Sequence, residues 1–199
     1  KTSEIEFYAH QFRPVLRFIE SATNRLLIAD EVGLGKTIET GLIWQEWQAR
    51  ERARRLLIVC PPMLKQKWIR ELQDRFQIAA EETDARHLLT LLDRFERRGP
   101  GLSFALVTSY HSLRPRELER RQLQDLQDEV DAEVTGEDKR WTPRVQLLHR
   151  IRKQGAEARD TGGAHFLDLV AFDEAHSMRN TASASYIMGE ILSDAANAA

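Results

Sequence analysis

The chain has 199 residues, 42% of them hydrophobic, which is enough to bury one good core, so a single domain is expected. Its formal net charge of −2 excludes a general attraction to nucleic acid, and any such binding must come from a local basic patch. One cysteine, Cys60, excludes a disulfide framework or a cysteine-rich metal cluster, and no apolar run is long enough to span a membrane.

Short apolar runs and helical patterns alternate along the chain. The apolar runs predict four strands: Arg25–Ala29, Arg55–Cys60, Phe104–Thr108 and Asp168–Phe172. Apolar residues at helical spacing predict helices over Thr37–Arg50, Met63–Phe76 and Asp84–Arg98. This alternation predicts an α/β fold with a parallel sheet and helices on both faces, in which ligands bind at the carboxyl ends of the strands.

A glycine loop follows the first predicted strand and leads into a predicted helix. Gly33 and Gly35 let backbone N–H groups approach an anion closely. The positive end of the helix, the Lys36 ammonium and the Thr37 hydroxyl would then bind a triphosphate and its Mg²⁺ ion. The strict phosphate-loop pattern has a glycine where this chain has Asp30, so the loop does not identify the site alone.

The predicted strand Asp168–Phe172 leads directly into two carboxylates, Asp173 and Glu174. At the carboxyl end of a buried parallel strand, these acids are expected at the same edge of the sheet as the glycine loop. We assign Asp173 to the metal and Glu174 to polarising the attacking water as a general base. The alternative is an acidic helix cap without chemistry, which the upstream glycine loop disfavours.

Residues 114–163 break the alternation. Two apolar stripes at helical spacing, one on each side of Gly136, predict an inserted helical hairpin. Residues 117–138 hold nine acids and two arginines, whereas residues 139–154 hold six Lys/Arg and no acid. Two interpretations are open: the basic arm contacts nucleic-acid phosphate, or it forms ion pairs with the acidic arm. Ion pairing between the arms is favoured, because the basic residues are scattered around the predicted helix and do not form one basic face.

Two of these stretches carry a resemblance to a known family. DEVGLGKT at residues 30–37 and DEAH at residues 173–176 resemble motifs I and II of the superfamily 2 helicases, especially the SWI/SNF-type branch with its bacterial RapA-like members. In that branch the first loop position is often Asp, as it is here. Supporting stretches resemble the adenine-recognising glutamine motif, motif Ia and motif Ib: Tyr8–Gln11, Leu56–Trp68 and Leu106–Leu113.

The resemblance implies a three-layer, RecA-like P-loop lobe that binds ATP with Mg²⁺. It implies that Thr37 and Asp173 hold the metal and that Glu174, Lys36 and Asp173 are catalytic. The residues that it implies in nucleotide binding are Gln11, Asp30, Glu31, Gly33, Leu34, Gly35, Lys36, Thr37 and Ile38.

By this resemblance, residues 1–113 and 164–199 form the ATP-binding lobe, interrupted by the insertion 114–163. The lobe is expected to lack motif III and the second RecA-like lobe, and to be inactive or very weak as an ATPase alone. The implied function is a nucleic-acid-dependent ATPase that moves along DNA, with the duplex as the expected substrate, or remodels DNA-bound proteins.

The expected partners are double-stranded DNA, the second lobe of a full-length protein and a protein that binds residues 114–163. No membrane partner is expected, and the expected location is the bacterial cytoplasm or nucleoid. Two alternatives stay open: a nucleotide-binding interaction module without motor activity, and a helicase subunit of an antiviral defence system. Motif III and a second lobe in the full-length protein would favour a motor over the module.

Overall fold

The computed structural model describes residues 12–28, 35–116, 119, 141–181 and 183–199. Its helices are α1 (Phe12–Glu20), α2 (Lys36–Glu51), α3 (Lys65–Phe76), α4 (Ala85–Arg98), α5 (Tyr110–Leu113), α6 (Pro143–Thr161) and α7 (Ala184–Ala195). Its strands are β1 (Arg55–Cys60), β2 (Glu81–Glu82), β3 (Phe104–Ser109), β4 (Leu167–Phe172) and β5 (Ala196–Ala198). Two 3₁₀ turns are formed by Pro62–Leu64 and Ala175–Met178.

The strands form one parallel sheet in the order β2–β3–β1–β4–β5. At its centre, β1 pairs with β3 from Arg55 opposite Phe104 to Cys60 opposite Ser109. Its other edge pairs with β4. Every residue of β1 is buried, because helices cover both faces of the sheet. The parallel sheet predicted from the sequence is therefore confirmed.

Two hydrophobic clusters lie on opposite faces of this sheet. Helices α1, α2 and α3 pack on one face, where the buried side chains of Phe18 and Trp47 meet edge to face at 5.2 Å. Helices α4, α6 and α7 pack on the other face around residues such as Leu92 and Leu148. These three layers confirm the α/β fold class, and none of the helices in the described ranges has the length and apolar character that a membrane crossing needs.

The predicted first strand, Arg25–Ala29, is not a regular strand in the part that the structure describes, residues 25–28. Two backbone hydrogen bonds join this segment to Ala199: the N–H of Leu26 donates to the Ala199 carbonyl at 3.0 Å, and the N–H of Ala199 donates to the Asn24 carbonyl at 3.1 Å. These two bonds have the pattern of parallel strand pairing. They involve only Ala199, the residue that follows β5. The prediction of a full strand is therefore wrong for residues 25–28.

The basic arm of the predicted insertion corresponds to α6. Its predicted apolar stripe consists of Trp141, Val145, Leu148 and Ile151. The last three are fully buried in the cluster beneath α4 and α7, and Trp141 is partly buried against it. The acidic arm lies outside the described residues except for Glu119. Helix α6 is thus a layer of the main core, whereas the division of the chain at residues 114 and 163 stays a prediction.

Candidate functional site

A cleft of about 780 Å³, bounded by described residues, lies at the carboxyl end of β4. The start of α2 contributes Lys36 and Thr40 to its lining. The segment after β4 contributes Asp173 and Glu174. The beginning of α2 and the end of β4 are more than 130 residues apart in sequence, so the parallel fold is what brings them to one cleft.

Gly35 is the residue before α2, and its backbone is in the left-handed region with φ 105° and ψ 26°. Glycine adopts this conformation without the strain that a Cβ would add. Its carbonyl accepts hydrogen bonds from the N–H groups of Ile38 and Glu39 at 2.7 and 3.0 Å. The glycine therefore turns the chain into the first helical turn, where Lys36 points to the cleft and Thr37 is half-buried.

Of the remaining predicted nucleotide-binding residues, the structure describes Ile38. Its side chain is buried in the cluster beneath α2, where it packs against the core. The others lie outside the described residues: Gln11, Asp30, Glu31, Gly33 and Leu34. Their roles stay predictions.

Asp173 is held through both its backbone and its side chain. Its N–H donates to the Val59 carbonyl at 2.9 Å, and its carbonyl accepts from the Tyr110 hydroxyl at 2.9 Å. Its Oδ2 accepts from the indole Nε1–H of Trp68 at 2.8 Å. These bonds come from β1, α5 and α3, so the position of this carboxylate is tied to three separate elements.

Glu174 has a left-handed backbone, with φ 56° and ψ 46°. This conformation is uncommon for a residue with a Cβ. Such strain concentrates at functional sites, where the surrounding structure holds it in place. One side-chain oxygen of Glu174, Oε2, lies 3.0 Å from Nδ1 of His176. The last residue of the DEAH sequence therefore contacts the proposed general base directly.

Two buried groups near Asp173, the Cys60 thiol and the Tyr110 hydroxyl, have raised pKa values. Burial raises the pKa of the Cys60 thiol to about 12, and the Asp173 carboxylate adds to the rise. Burial also raises the pKa of the Tyr110 hydroxyl, an effect that a hydrogen bond with Ser177 partly opposes and that Asp173 reinforces. Both groups are therefore neutral at pH 7, and Cys60 is fully buried, as a small apolar residue would be.

The donor atoms at this edge fit a triphosphate with Mg²⁺. A carboxylate and a hydroxyl are the hard oxygen ligands that Mg²⁺ prefers, and the ion commonly takes only one or two carboxylates because substrate phosphates and waters complete its coordination. Accordingly, the described residues contain no group of three acidic, histidine or cysteine side chains that would hold a metal unaided. Lys36, which lines the same cleft, adds the positive charge that suits a triphosphate.

Several polar residues after β1 and at the end of β3 have partners within the lobe. Lys65 pairs with Glu82, and the Nζ of Lys67 lies 3.8 Å from Glu71. The hydroxyl of Thr108 is buried and donates to the Thr83 carbonyl at 2.9 Å. Ser109 caps α5 by accepting from the N–H of Ser112.

Arg150, in the basic arm, pairs with acids of α4. Its guanidinium lies 2.7 Å from Asp93 and 2.5 Å from Glu96. Burial would lower the pKa of this guanidinium, but the hydrogen bonds to both carboxylates outweigh that effect and raise it. Arg144, also in this arm, donates from Nε to the Ser112 carbonyl at 3.0 Å. These partners in α4 were not predicted from the sequence, and the predicted pairing of the basic arm with residues 117–138 stays a prediction because that arm lies outside the described residues except for Glu119.

Trp68 and Tyr110 are the site residues that sequence reasoning missed. Trp68 lies within the helix predicted over Met63–Phe76 and Tyr110 within the stretch Leu106–Leu113, and neither pattern assigns them a role at the site. Both side chains carry an apolar body and a hydrogen-bonding tip. Their positions just beyond the carboxyl ends of β1 and β3 are the signal that could have placed those tips near Asp173.

The comparisons with known proteins agree with this arrangement. A family model described as the SNF2-related domain matches residues 10–194. The chain is 42% identical over 73 residues to the uncharacterized ATP-dependent helicase YqhH of Bacillus subtilis, which is 37% of this chain and 13% of that protein. It is 38% identical over 81 residues to the RNA polymerase-associated protein RapA of Pseudomonas putida, which is 41% of this chain and 8% of that protein. The matched segments thus span only about a tenth of the length of these relatives.

Proposed function

The chain belongs to the SNF2-related domain family, and we propose that it is the ATP-binding lobe of a DNA-dependent ATPase that couples ATP hydrolysis to movement along DNA or to remodelling of DNA-bound proteins. Membership of the family supports nucleotide use in general. The relatives' names, which include an ATP-dependent helicase and RNA polymerase-associated proteins, support a motor that works on nucleic acid.

One observation carries the proposal: Lys36, Asp173 and Glu174 line the same cleft. A lysine at the start of a helix and two acids after a parallel strand belong to the recurring set of groups by which P-loop enzymes bind and hydrolyse a nucleoside triphosphate. The volume of the cleft, about 780 Å³, lies within the range that small-molecule ligands occupy.

Each of these residues has a separate role. The Lys36 ammonium binds phosphate oxygens, and the Thr37 hydroxyl and the Asp173 carboxylate hold Mg²⁺. Bound Mg²⁺ supplies positive charge that stabilises the phosphate oxygens during transfer. Glu174 orients the attacking water and accepts its proton, and the contact with His176 holds the Glu174 carboxylate at the mouth of the cleft.

The remaining roles concern residues outside the described ranges and a larger protein. Gln11 recognises the adenine, and the loop residues Asp30, Glu31, Gly33 and Leu34 contact the phosphates. Translocation requires a second RecA-like lobe that closes on ATP and opens after hydrolysis. The duplex is the proposed substrate, residues 114–163 are a proposed docking site for a protein partner, and the bacterial cytoplasm or nucleoid is the proposed location.

The substitution Glu174→Gln in the full-length protein tests the assignment of the base. It removes the proton acceptor and keeps the shape of the side chain, so DNA-stimulated ATP turnover should fall by at least 100-fold while MgATP still binds. The matched control is Glu157→Gln, because Glu157 is an exposed acid on α6 away from the cleft. Turnover by the Glu174 variant at the rate of the control would overturn the assignment.

A further inference from the structure

Trp68 connects α3 to the carboxylate of Asp173. The indole is 4% exposed and packs in the cluster beneath α1, α2 and α3, so its ring is fixed by its neighbours. From this buried position its Nε1–H reaches Oδ2 of Asp173 at 2.8 Å. The two residues are 105 positions apart in sequence, and the contact therefore depends on the packing of α3 against the end of β4.

The bond distinguishes the two oxygens of one carboxylate. The terminal torsion of an Asp side chain is broad and roughly two-fold, so the two oxygens exchange readily unless one of them is held. Trp68 holds Oδ2, and Oδ1 has no hydrogen-bonding partner among the described residues. Because an indole N–H is a donor only, it does not compete with the carboxylate for a cation.

The backbone of Asp173 is fixed independently of its side chain. The Val59 carbonyl accepts from its N–H, and the Tyr110 hydroxyl donates to its carbonyl. With the backbone held at both ends, the remaining freedom of this residue is rotation about its two side-chain torsions. The bond from Trp68 to Oδ2 restricts that rotation.

We propose that Trp68 is a positioning residue for the metal-binding carboxylate: its indole N–H holds Oδ2 of Asp173 so that Oδ1 is presented to Mg²⁺. The inference rests on the proposed function, because it requires that Asp173 binds the metal. Groups that orient a metal ligand from behind typically change metal affinity by about 10- to 100-fold. The same effect is expected of Trp68, with Asp173 as the ligand that it orients.

The test compares Mg²⁺ enhancement of nucleotide binding between variants. Trp68 is replaced by 3-benzothienylalanine, a tryptophan analogue with sulfur in place of the ring N–H, which keeps the shape of the side chain and removes the donor. Calorimetry measures the affinity of a non-hydrolysable ATP analogue with Mg²⁺ and with EDTA, and the ratio of the two is the readout. The ratio should fall by about 10- to 100-fold.

The matched control is Trp47→Phe. Trp47 lies in the same cluster and is also buried, but its Nε1–H donates to the Asp168 carbonyl at 3.2 Å, away from Asp173. This variant should keep the wild-type ratio. A benzothienylalanine variant that also keeps it would overturn the inference and leave the proposed function standing, whereas a wild-type chain that binds no nucleotide would overturn both.

A second measurement needs no substitution at Trp68. The chain has four tryptophans, so its ¹H–¹⁵N spectrum contains four indole signals, and the substitutions Trp44→Phe, Trp47→Phe and Trp141→Phe assign the signal of Trp68 by elimination. Adding Mg²⁺ to the chain saturated with nucleotide should shift the Trp68 indole signal more than the other three. A Trp68 signal that does not move would overturn the inference.

Discussion

Arg55 and Asp168 form a buried ion pair at the amino-terminal edge of the sheet, with 2.6 Å between Nη2 and Oδ1. The other carboxylate oxygen, Oδ2, accepts from the backbone N–H groups of Arg54 and Arg55 at 2.7 and 2.9 Å. The guanidinium also donates to the Pro100 carbonyl and lies 5.0 Å from the centre of the Phe95 ring. Asp168 thus joins the start of β4 to the start of β1, at the edge of the sheet opposite the cleft.

Removing this acid should destabilise the lobe strongly. Asp168→Ala leaves the Arg55 guanidinium, which is 4% exposed, without its counter-ion, and a buried unpaired charge costs about 3–5 kcal/mol. The free energy of unfolding, measured in urea, should fall by that amount. The control is Asp194→Ala, which breaks the half-exposed pair with Arg25 and should cost less than about 1 kcal/mol. Equal losses for the two variants would contradict the importance of the buried pair.

A side chain at Gly155 of α6 should lower the stability of the lobe. A Cβ at this position would lie 2.4 Å from the Cα of Ala195 in α7, a backbone atom that cannot move aside alone. Gly155→Ala should therefore lower the free energy of unfolding by about 1–3 kcal/mol, although alanine favours a helix. Gly101→Ala, which meets no atom within 4 Å, should change it by less than about 0.5 kcal/mol. A stabilised Gly155 variant would mean that α6 does not pack closely on α7.

The Cys60 thiol should make the chain less stable at high pH. Its pKa rises from 9.0 to about 12 on folding, so the native chain retains a proton that the unfolded chain loses. The contribution of this thiol to stability is fully present below pH 9 and is lost as the pH rises towards 12. Denaturation at several pH values should show a steeper fall for the wild-type chain than for Cys60→Ala, and parallel curves would contradict the raised pKa.

The same thiol should resist modification. With a pKa of about 12 the thiol stays almost entirely protonated at pH 8, and the fully buried side chain is also shielded from reagents. Iodoacetamide should therefore label the native chain far more slowly than the chain in urea. Because the sequence has one cysteine, the signal needs no correction for a second thiol.

The sequence predicted the elements whose pattern is local. The run of apolar residues from Arg55 to Cys60 predicted β1 with its observed bounds, because a central strand buried on both faces needs a continuous apolar sequence. The helix predicted over Asp84–Arg98 is α4, which begins one residue later because Asp84 is its cap and accepts from the N–H of His87. Such signals are contained within a few residues and do not depend on the rest of the fold.

Other elements depend on neighbours that are distant in sequence. The strands β2 and β5 consist of Glu81–Glu82 and Ala196–Ala198, which carry no strand pattern and exist because β3 and β4 offer them a free edge. Residues 25–28 are the opposite case. Their apolar sequence predicts a strand, but the segment forms no regular strand because it has no full partner strand.

The candidate site divides in the same way. Lys36 of motif I and Asp173 and Glu174 of motif II line one cleft, as the carboxyl-edge rule for parallel sheets leads one to expect, whereas residues 30–34 of motif I lie outside the described residues. The bond from Trp68 to Asp173 is only partly predictable: the sequence shows that the indole can donate and places it after a strand end, but it does not show the direction of the indole N–H. That direction is set by the packing of α3 on the sheet, which no local pattern encodes.

The most direct test of the account is calorimetric titration of the chain with MgATP, with Lys36→Ala alongside. Wild-type chain should bind, and the loss of a charged hydrogen bond to phosphate, about 1.5–3 kcal/mol, should weaken binding by about 10- to 100-fold in the variant. Lys67→Ala, which removes an exposed lysine outside the cleft, should bind as the wild type does. Equal affinity for the wild-type chain and Lys36→Ala, or no binding by the wild-type chain, would contradict a nucleotide site at this cleft.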